Sequence, residues 1–378
     1  MVADHWLFWF PNLGPSIPTT PTRTPKDMLA VASLVLATLV APQAPQTSEI
    51  KHIDYYGLRT VSIEAASEAL GIQVGDSVEI DRTAASERLR AIEAIEDVVL
   101  IKMFMPGSET LLVGILEKGT PTPTFRKAPV GDETLPEGMV EAYTAAMELS
   151  YEAMLSGQGS GEEIVNGSSI SKYESAAIQD RKLADLARAH PARVRQVLRN
   201  AKDPEQRAVA ATATGHLEDK PGVIEDLAFA MDDPDASVRN NAIRALSVLA
   251  RWANSQDDLR VEFDYAPLFL LLESLQWTDR NKAASLLDSL TFGRDEKLLS
   301  QLRKGSIPAL TEMAKWHSAG HAAFSIRILG RMAGITEEEI TKGEKRAWSG
   351  GYEEHVRWVD SLAIAAAKVK EDGPKPSR

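Results

Sequence analysis

The run from Leu227 to Leu249, LAFAMDDPDASVRNNAIRALSVL, reads as a helix, a tight turn and a second helix, and parts of it recur along the chain. Asp233-Pro234 carries a helix-start signal: an aspartate can cap free N–H groups, and a proline is tolerated in the first turn. Val238, Ala242, Leu246 and Leu249 then fall on one helical face, and Ile224, Leu227, Ala228 and Met231 form the facing stripe of the helix before it. Arg239-x-x-Ala242, with Leu249 ten residues after the arginine, is echoed by Arg207, Ala210 and Leu217 and again by Arg280, Ala283 and Leu290. Asp203-Pro204 precedes the first echo. The arginines stand 32 (239 − 207) and 41 (280 − 239) residues apart, the length of a helix pair. Such a unit cannot bury its apolar faces alone, so the recurrence predicts stacking into an α-solenoid.

The run Asp233-Pro234-Asp235-x-x-Val238-Arg239-x-x-Ala242-x-x-Ala245-Leu246 resembles the short HEAT-like repeat also found in phycobilisome-lyase-like proteins. The likeness weakens beyond Ile307. In that family the aspartate and arginine make contacts between stacked units, which implies structural roles for Asp203, Arg207, Asp233, Arg239 and Arg280. No lyase activity follows, because the fold hosts many functions and the chain has no cysteine to hold a bilin.

Residues 49–118 form a smaller mixed unit. Ile50, Ile53 and Tyr55 sit in a short strand pattern ending at Gly57; Ser62 starts a helix that Gly71 ends. Asp81 opens a second helix with Ala85, Leu89, Ile92 and Ile95 inward, and two β-rich runs, Val98 to Phe104 and Leu111 to Leu116, flank Pro106-Gly107. The predicted order is β-α-α-β-β. Together with Val61-Ser62, Gly75-Asp76 and the terminal Glu117, it resembles a POTRA domain, with Leu58 departing from the asparagine common after the glycine. The resemblance implies a location outside the cytoplasm and recognition of extended peptide at a sheet edge. No alternating strands follow residue 118, so no outer-membrane barrel is expected. The fold class predicted is therefore mainly α, a HEAT-like solenoid over 137–370 behind a small α+β POTRA-like head, joined by a Pro-rich linker over 119–136.

The N-terminus carries a different signal. Residues 1–27, with Trp6, Phe8, Trp9 and Phe10 before a Pro/Thr-rich stretch, read as disordered or as an extension ahead of a start at Met28. Leu29 to Ala41 is a 13-residue apolar run, too short to span a bilayer, which takes about 20 residues. Residues 28–44 fit a secretory signal peptide with an imperfect cleavage motif, and the alternative is a buried core helix. The expectation is export to the periplasm or cell envelope, with membrane contact only if this segment stays uncleaved. Residues 371–378 read as a disordered tail.

Charge and composition narrow the function. A net charge of −12 argues against general affinity for nucleic acid or anionic lipid. The absence of cysteine excludes disulfides, thiolate metal sites and a thiol nucleophile. The glycine-rich stretch 157–169 reads as a loop and lacks the Gly-Lys-Ser/Thr ending of a phosphate loop; no cofactor is expected. Within a basic stripe over 181–202, Arg188, Arg195 and Arg199 are candidate binding residues, weighed against a solvated face opposite acidic neighbours. His317-x-x-x-His321 has the spacing of two metal ligands on a helix, but Ser318 and Gly320 place it across a turn and no HExxH glutamate accompanies it. Trp316 is assigned to the core, and Trp252, Trp277, Trp348 and Trp358 to core or interface. No catalytic constellation emerges. The reading is a non-catalytic adaptor or scaffold for a protein or peptide partner. The alternatives are a structural envelope component and a solenoid enzyme, acting on nucleic acid or another envelope substrate, that would need a cleft carboxylate of raised pKa.

Overall fold

The computed structural model describes residues 49–103, 109–158 and 161–369. The expectations for residues 1–48 and for the tail 371–378 lie outside the described residues. The head comprises β1 (His52–Tyr56), α1 (Ile63–Leu70), α2 (Arg82–Arg90), β2 (Ile95–Met103) and β3 (Thr110–Glu117), the β-α-α-β-β order expected. Its sheet runs β1-β3-β2, with β3 parallel to β1 and antiparallel to β2. Side chains alternate across a strand. Val98, Leu100, Leu111, Val113 and Ile115 therefore face α1 and α2, where Ala66, Leu70, Ala85 and Leu89 complete a core. On the opposite face, Tyr56, Leu112, Val99, Ile101 and Met103 join the core of the helical region. The sheet is thus sandwiched between its own helices and the solenoid.

Two residues of the head explain its motif. Gly57 has φ +85°, and a Cβ there would lie 1.9 Å from the Ile115 carbonyl oxygen, so only glycine fits. Glu117 is buried and accepts from the backbone N–H groups of Arg59, Thr60 and Val61 and from the Thr60 hydroxyl. Burial alone would raise its pKa, but those hydrogen bonds outweigh burial and hold it below the usual carboxylate value.

The helical region begins with α3 (Met139–Leu155), a hairpin of β4 (Glu162–Val165) and β5 (Ser168–Ser171), and α4 (Glu174–Ala189). Then follow α5 (Pro191–Asn200), α6 (Pro204–Thr214), α7 (Lys220–Ala230), α8 (Ala236–Ala253), α9 (Ala266–Leu271), α10 (Trp277–Thr291), α11 (Glu296–Gly305), α12 (Ile307–Ala314), α13 (Ala319–Met332), α14 (Glu337–Ser349) and α15 (Tyr352–Lys368). Helices α6, α8, α10 and α13 stack on one another in order, and α5, α7, α9 and α12 pack outside them. This is a helical solenoid. Val238, Ala242, Leu246 and Leu249 are all buried, as their spacing predicts. Leu246 is fully buried between stacked helices, so Leu246→Ala should cost about 2–5 kcal/mol; an unchanged thermal midpoint would show that this face does not hold the stack.

Three local expectations change. Asp233-Pro234 does not start α8; Asp235 caps it through the N–H groups of Ser237 and Val238. The Asp233 carboxylate is occupied by an arginine from the preceding unit. Asp203 does cap α6, with Pro204 in its first turn. The stretch 157–169 is not simply a loop, since β4 and the start of β5 lie in it, closed into a hairpin by Asn166 (φ 50°) and Gly167 (φ 77°). Two successive positive φ values match the right-handed twist of the strands. The Pro-rich segment 119–136 joins head to solenoid but is packed along its course: Gly131 N–H donates to Asn200 O, Lys202 N–H to Gly131 O, and Leu135 N–H to Gln206 Oε1.

Candidate functional site

Consecutive units are joined by buried arginines. Arg207 Nε and Nη2 donate to the two Asp233 oxygens at 2.9 and 2.8 Å, and its Nη1 donates to the carbonyls of Ala201 and Lys202. Arg239 repeats this with the two Asp279 oxygens at 2.9 and 2.8 Å and the carbonyls of Asp233 and Pro234. Arg280 varies it, pairing with Glu312 at 2.9 Å and donating through Nε to Ser274 O. The Pro-rich segment completes the ladder: Arg126 bonds Asp233 at 2.5 Å, and the Phe125 ring lies 3.7 Å from the Arg239 guanidinium. Planar bidentate pairing of this kind fixes geometry as well as charge.

The ladder's end meets the head. Tyr56 Oη donates to Leu275 O at 2.9 Å, and Gly57 N–H to Glu312 Oε2 at 2.8 Å. His317 sits at the same joint. Its backbone N–H and its Nδ1 reach the Asp54 carboxylate at 3.0 and 2.6 Å, and its ring is stacked between His52 and Tyr352. His321 is elsewhere, buried with its ring edge against Trp277 and its pKa pushed down to about 3 by burial and then by Lys282. The two histidines do not converge, and no metal-binding group occurs among the described residues. Trp277 and Trp316 are buried 6.0 Å apart, and Trp348 stacks on His355.

The basic stripe is matched internally. Arg195 pairs with Asp219 and Asp226, Arg199 with Asp226 while lying over the Phe229 ring, and Arg188 with Asp185. These three arginines face acidic neighbours, the arrangement weighed against nucleic-acid binding.

Two small adjoining pockets, of about 30 and 50 Å³, lie elsewhere. A polar cleft lies where α3, α4 and the hairpin cover the inner side of α6 and α8, lined by Tyr143, Ser150, Ser169, Ser171, Asp180, Thr212, His216, Asn240, Asn241 and Arg244. Asn241 Nδ2 donates to Tyr143 Oη and Ala208 O. Asn240 Nδ2 donates to Asn241 Oδ1, which leaves its own buried Oδ1 without a partner. His216 Nδ1 is likewise buried and unpartnered. Burial, then Arg188, Lys220 and Arg244, push the His216 pKa down to about 4, so the imidazole is neutral at neutral pH. Burial raises the Asp180 pKa against the Ser171 N–H it accepts at 2.7 Å. On the next inner helix, Lys282 is buried with its pKa pushed down to about 7, by burial first and Arg244 second, opposed by Glu162.

None of these cleft residues is a candidate in the sequence reading. A signal exists all the same: Arg239 and Arg280 are followed by Asn240-Asn241 and Asn281-Lys282, where Arg207 is followed by Ala208-Val209. Polar pairs at a buried phase of the repeat mark a face with polar neighbours.

No family model matches the chain, and no curated protein matches it. Among solved structures it is similar to a designed armadillo repeat protein (16% identity over 51% of this chain and 94% of that chain, TM-score 0.35). It is also similar to an engineered protein (20% identity, 52% and 91% covered, TM-score 0.33) and to a computationally designed armadillo repeat protein for modular peptide recognition (16% identity, 60% and 98% covered, TM-score 0.37). Likeness at this level carries no argument, and the solenoid rests on the chain's own helix order and packing.

Proposed function

We propose that the chain is a non-catalytic protein- or peptide-binding scaffold of the bacterial cell envelope, exported through its N-terminal segment and contacting its partner at the cleft on α6 and α8. One observation carries this reading. The ladder arginines and Arg188, Arg195 and Arg199 of the basic stripe are ion-paired within the chain, whereas the cleft keeps buried polar atoms, Asn240 Oδ1 and His216 Nδ1, that no described residue fills. Buried polar atoms of this kind cost stability unless water or a partner meets them. The head, read as POTRA-like, has one sheet face against the solenoid, and its edge strand β2 is the place where an extended peptide would add.

A photo-crosslinking residue at Ser150, in cells, tests the binding reading: covalent protein adducts are expected there and not from the same residue at Arg357 on α15. Adducts from neither position would remove it. Fractionation with N-terminal sequencing of the mature chain tests export. The enzyme alternative is favoured by Asp180 alone, a cleft carboxylate of raised pKa. Turnover of nucleic-acid, ester or glycoside substrates that is lost in Asp180→Asn would establish it.

A further inference from the structure

Arg244, which lines the cleft, already holds a carboxylate supplied by the chain itself. Glu162, at the start of β4, accepts from Arg244 Nη2 at 2.6 Å and from the Ser169 hydroxyl through Oε2. Its Oε1 lies 3.6 Å from Arg251 Nη1 and accepts no hydrogen bond. Strands of four residues do not make a hairpin that is stable alone, so docking holds this one in place. Ser168 Oγ donates to Gly215 O at 2.7 Å, and the Gly167 backbone lies so close to Leu249 and Trp252 that a Cβ would meet them at 2.8 and 3.0 Å.

What lies around it is cationic. Arg188, Lys220 and Arg244 act on His216, Arg244 acts on Lys282, and Arg251 stands two turns along α8 from Arg244. Lys282 is 1% exposed, and Glu162 is the carboxylate that acts on it. The carboxylates facing this group are Asp180, committed to Ser171 N–H, Asp185, paired with Arg188, Glu218, which acts on Lys220, and Glu162. One hairpin glutamate is shared between two arginines and is also the carboxylate that acts on the buried Lys282. A surface of this charge fits an anionic occupant better than it fits its own plug.

We propose that the inner face of α8 is the seat of an acidic peptide segment, and that Glu162 occupies it as an internal stand-in which a partner's carboxylate displaces from Arg244 and Arg251. The hairpin then acts as a plug, and the apparent affinity is reduced by the fraction of molecules in which it is seated. This inference rests on the scaffold reading above and adds the chemistry of the partner.

The test uses the full chain, immobilised, against a displayed library of random dodecapeptides, followed by fluorescence anisotropy with the most enriched peptide. Enrichment of Asp- and Glu-rich sequences is expected. Glu162→Gln should tighten their binding about tenfold, and Arg251→Gln in that background should reverse the gain with an unchanged thermal melt. Gly167→Ala, which unseats the hairpin tip without touching a charge, should also tighten binding. Enriched peptides without acids, or no tightening in Glu162→Gln and Gly167→Ala, would overturn the acidic seat and leave the scaffold reading standing. No enriched peptide at all would count against both. Glutarate competing as strongly as the peptide would make this a small-anion site and overturn the peptide assignment.

Discussion

Arg239→Ala is expected to lower the unfolding free energy by about 3–5 kcal/mol in urea titrations. The arginine and Asp279 are almost wholly inaccessible, at 2% and 0% side-chain exposure. Removing the guanidinium leaves Asp279 buried with only the Ser274 hydroxyl donating to it, at 2.8 Å, and strips the donors from the carbonyls of Asp233 and Pro234. Phe125 loses its cationic partner as well, so the Pro-rich segment should loosen with the ladder. Arg188→Ala is the control, since its pair with Asp185 is exposed and local; such pairs contribute about 0–1 kcal/mol. The double variant Arg239→Met, Asp279→Leu should recover much of the loss, because a matched apolar pair often equals a buried ion pair. Equal effects of Arg239→Ala and Arg188→Ala would mean the ladder does not hold the units together.

Lys282→Met should act in the opposite direction. Burial and Arg244 outweigh the opposing charge of Glu162 on this ammonium, and its pKa falls from 10.5 to about 7, which bounds the penalty at about 5 kcal/mol. Below about pH 7 the lysine is charged in both folded and unfolded chains, and the folded chain bears the full desolvation cost. Between about pH 7 and 10.5 the unfolded chain binds a proton that the folded chain does not, so stability rises with pH across that window. Methionine has a similar shape and no charge to desolvate. The variant should therefore be more stable at pH 7 by about 2–4 kcal/mol, within the range for replacing buried charge by apolar side chains. Its stability advantage should shrink as pH rises toward 10. A destabilised variant, or an advantage independent of pH, would show that Lys282 is compensated in the folded chain. Since Lys282 contributes to the cationic field at α8, the same change should weaken acidic-peptide binding, the trade between stability and function common at binding sites.

The period of the helix pairs was readable because helical spacing sorts apolar from polar residues locally, and Val238, Ala242, Leu246 and Leu249 are buried where that spacing puts them. Caps were readable to within a residue or two: Asp81 and Asp203 cap the helices they open. Asp233 misled because two neighbouring aspartates carry the same local signal. Asp235 takes the cap, while Arg207, 26 residues earlier, claims Asp233. The Asn166-Gly167 turn was legible too, but the glycines around it favoured a loop. The docking of the head left a trace in Leu111-Leu112-Val113-Gly114-Ile115-Leu116, a strand without polar alternation. Such a strand is covered on both faces, although nothing local says by what.

The order of elements, the helix-pair repeat and the need of each pair for a neighbour follow from the chain's own residues, because propensity, capping and amphipathic spacing act over a few positions. The cleft was decided by tertiary structure alone. It brings Tyr143, Asp180, His216 and Arg244 together from separate elements, with Glu162 paired to Arg244 and Lys282 within reach of its charge. Their desolvation and mutual charge depend on which face of each helix meets which neighbour, and that is settled only when the stack closes.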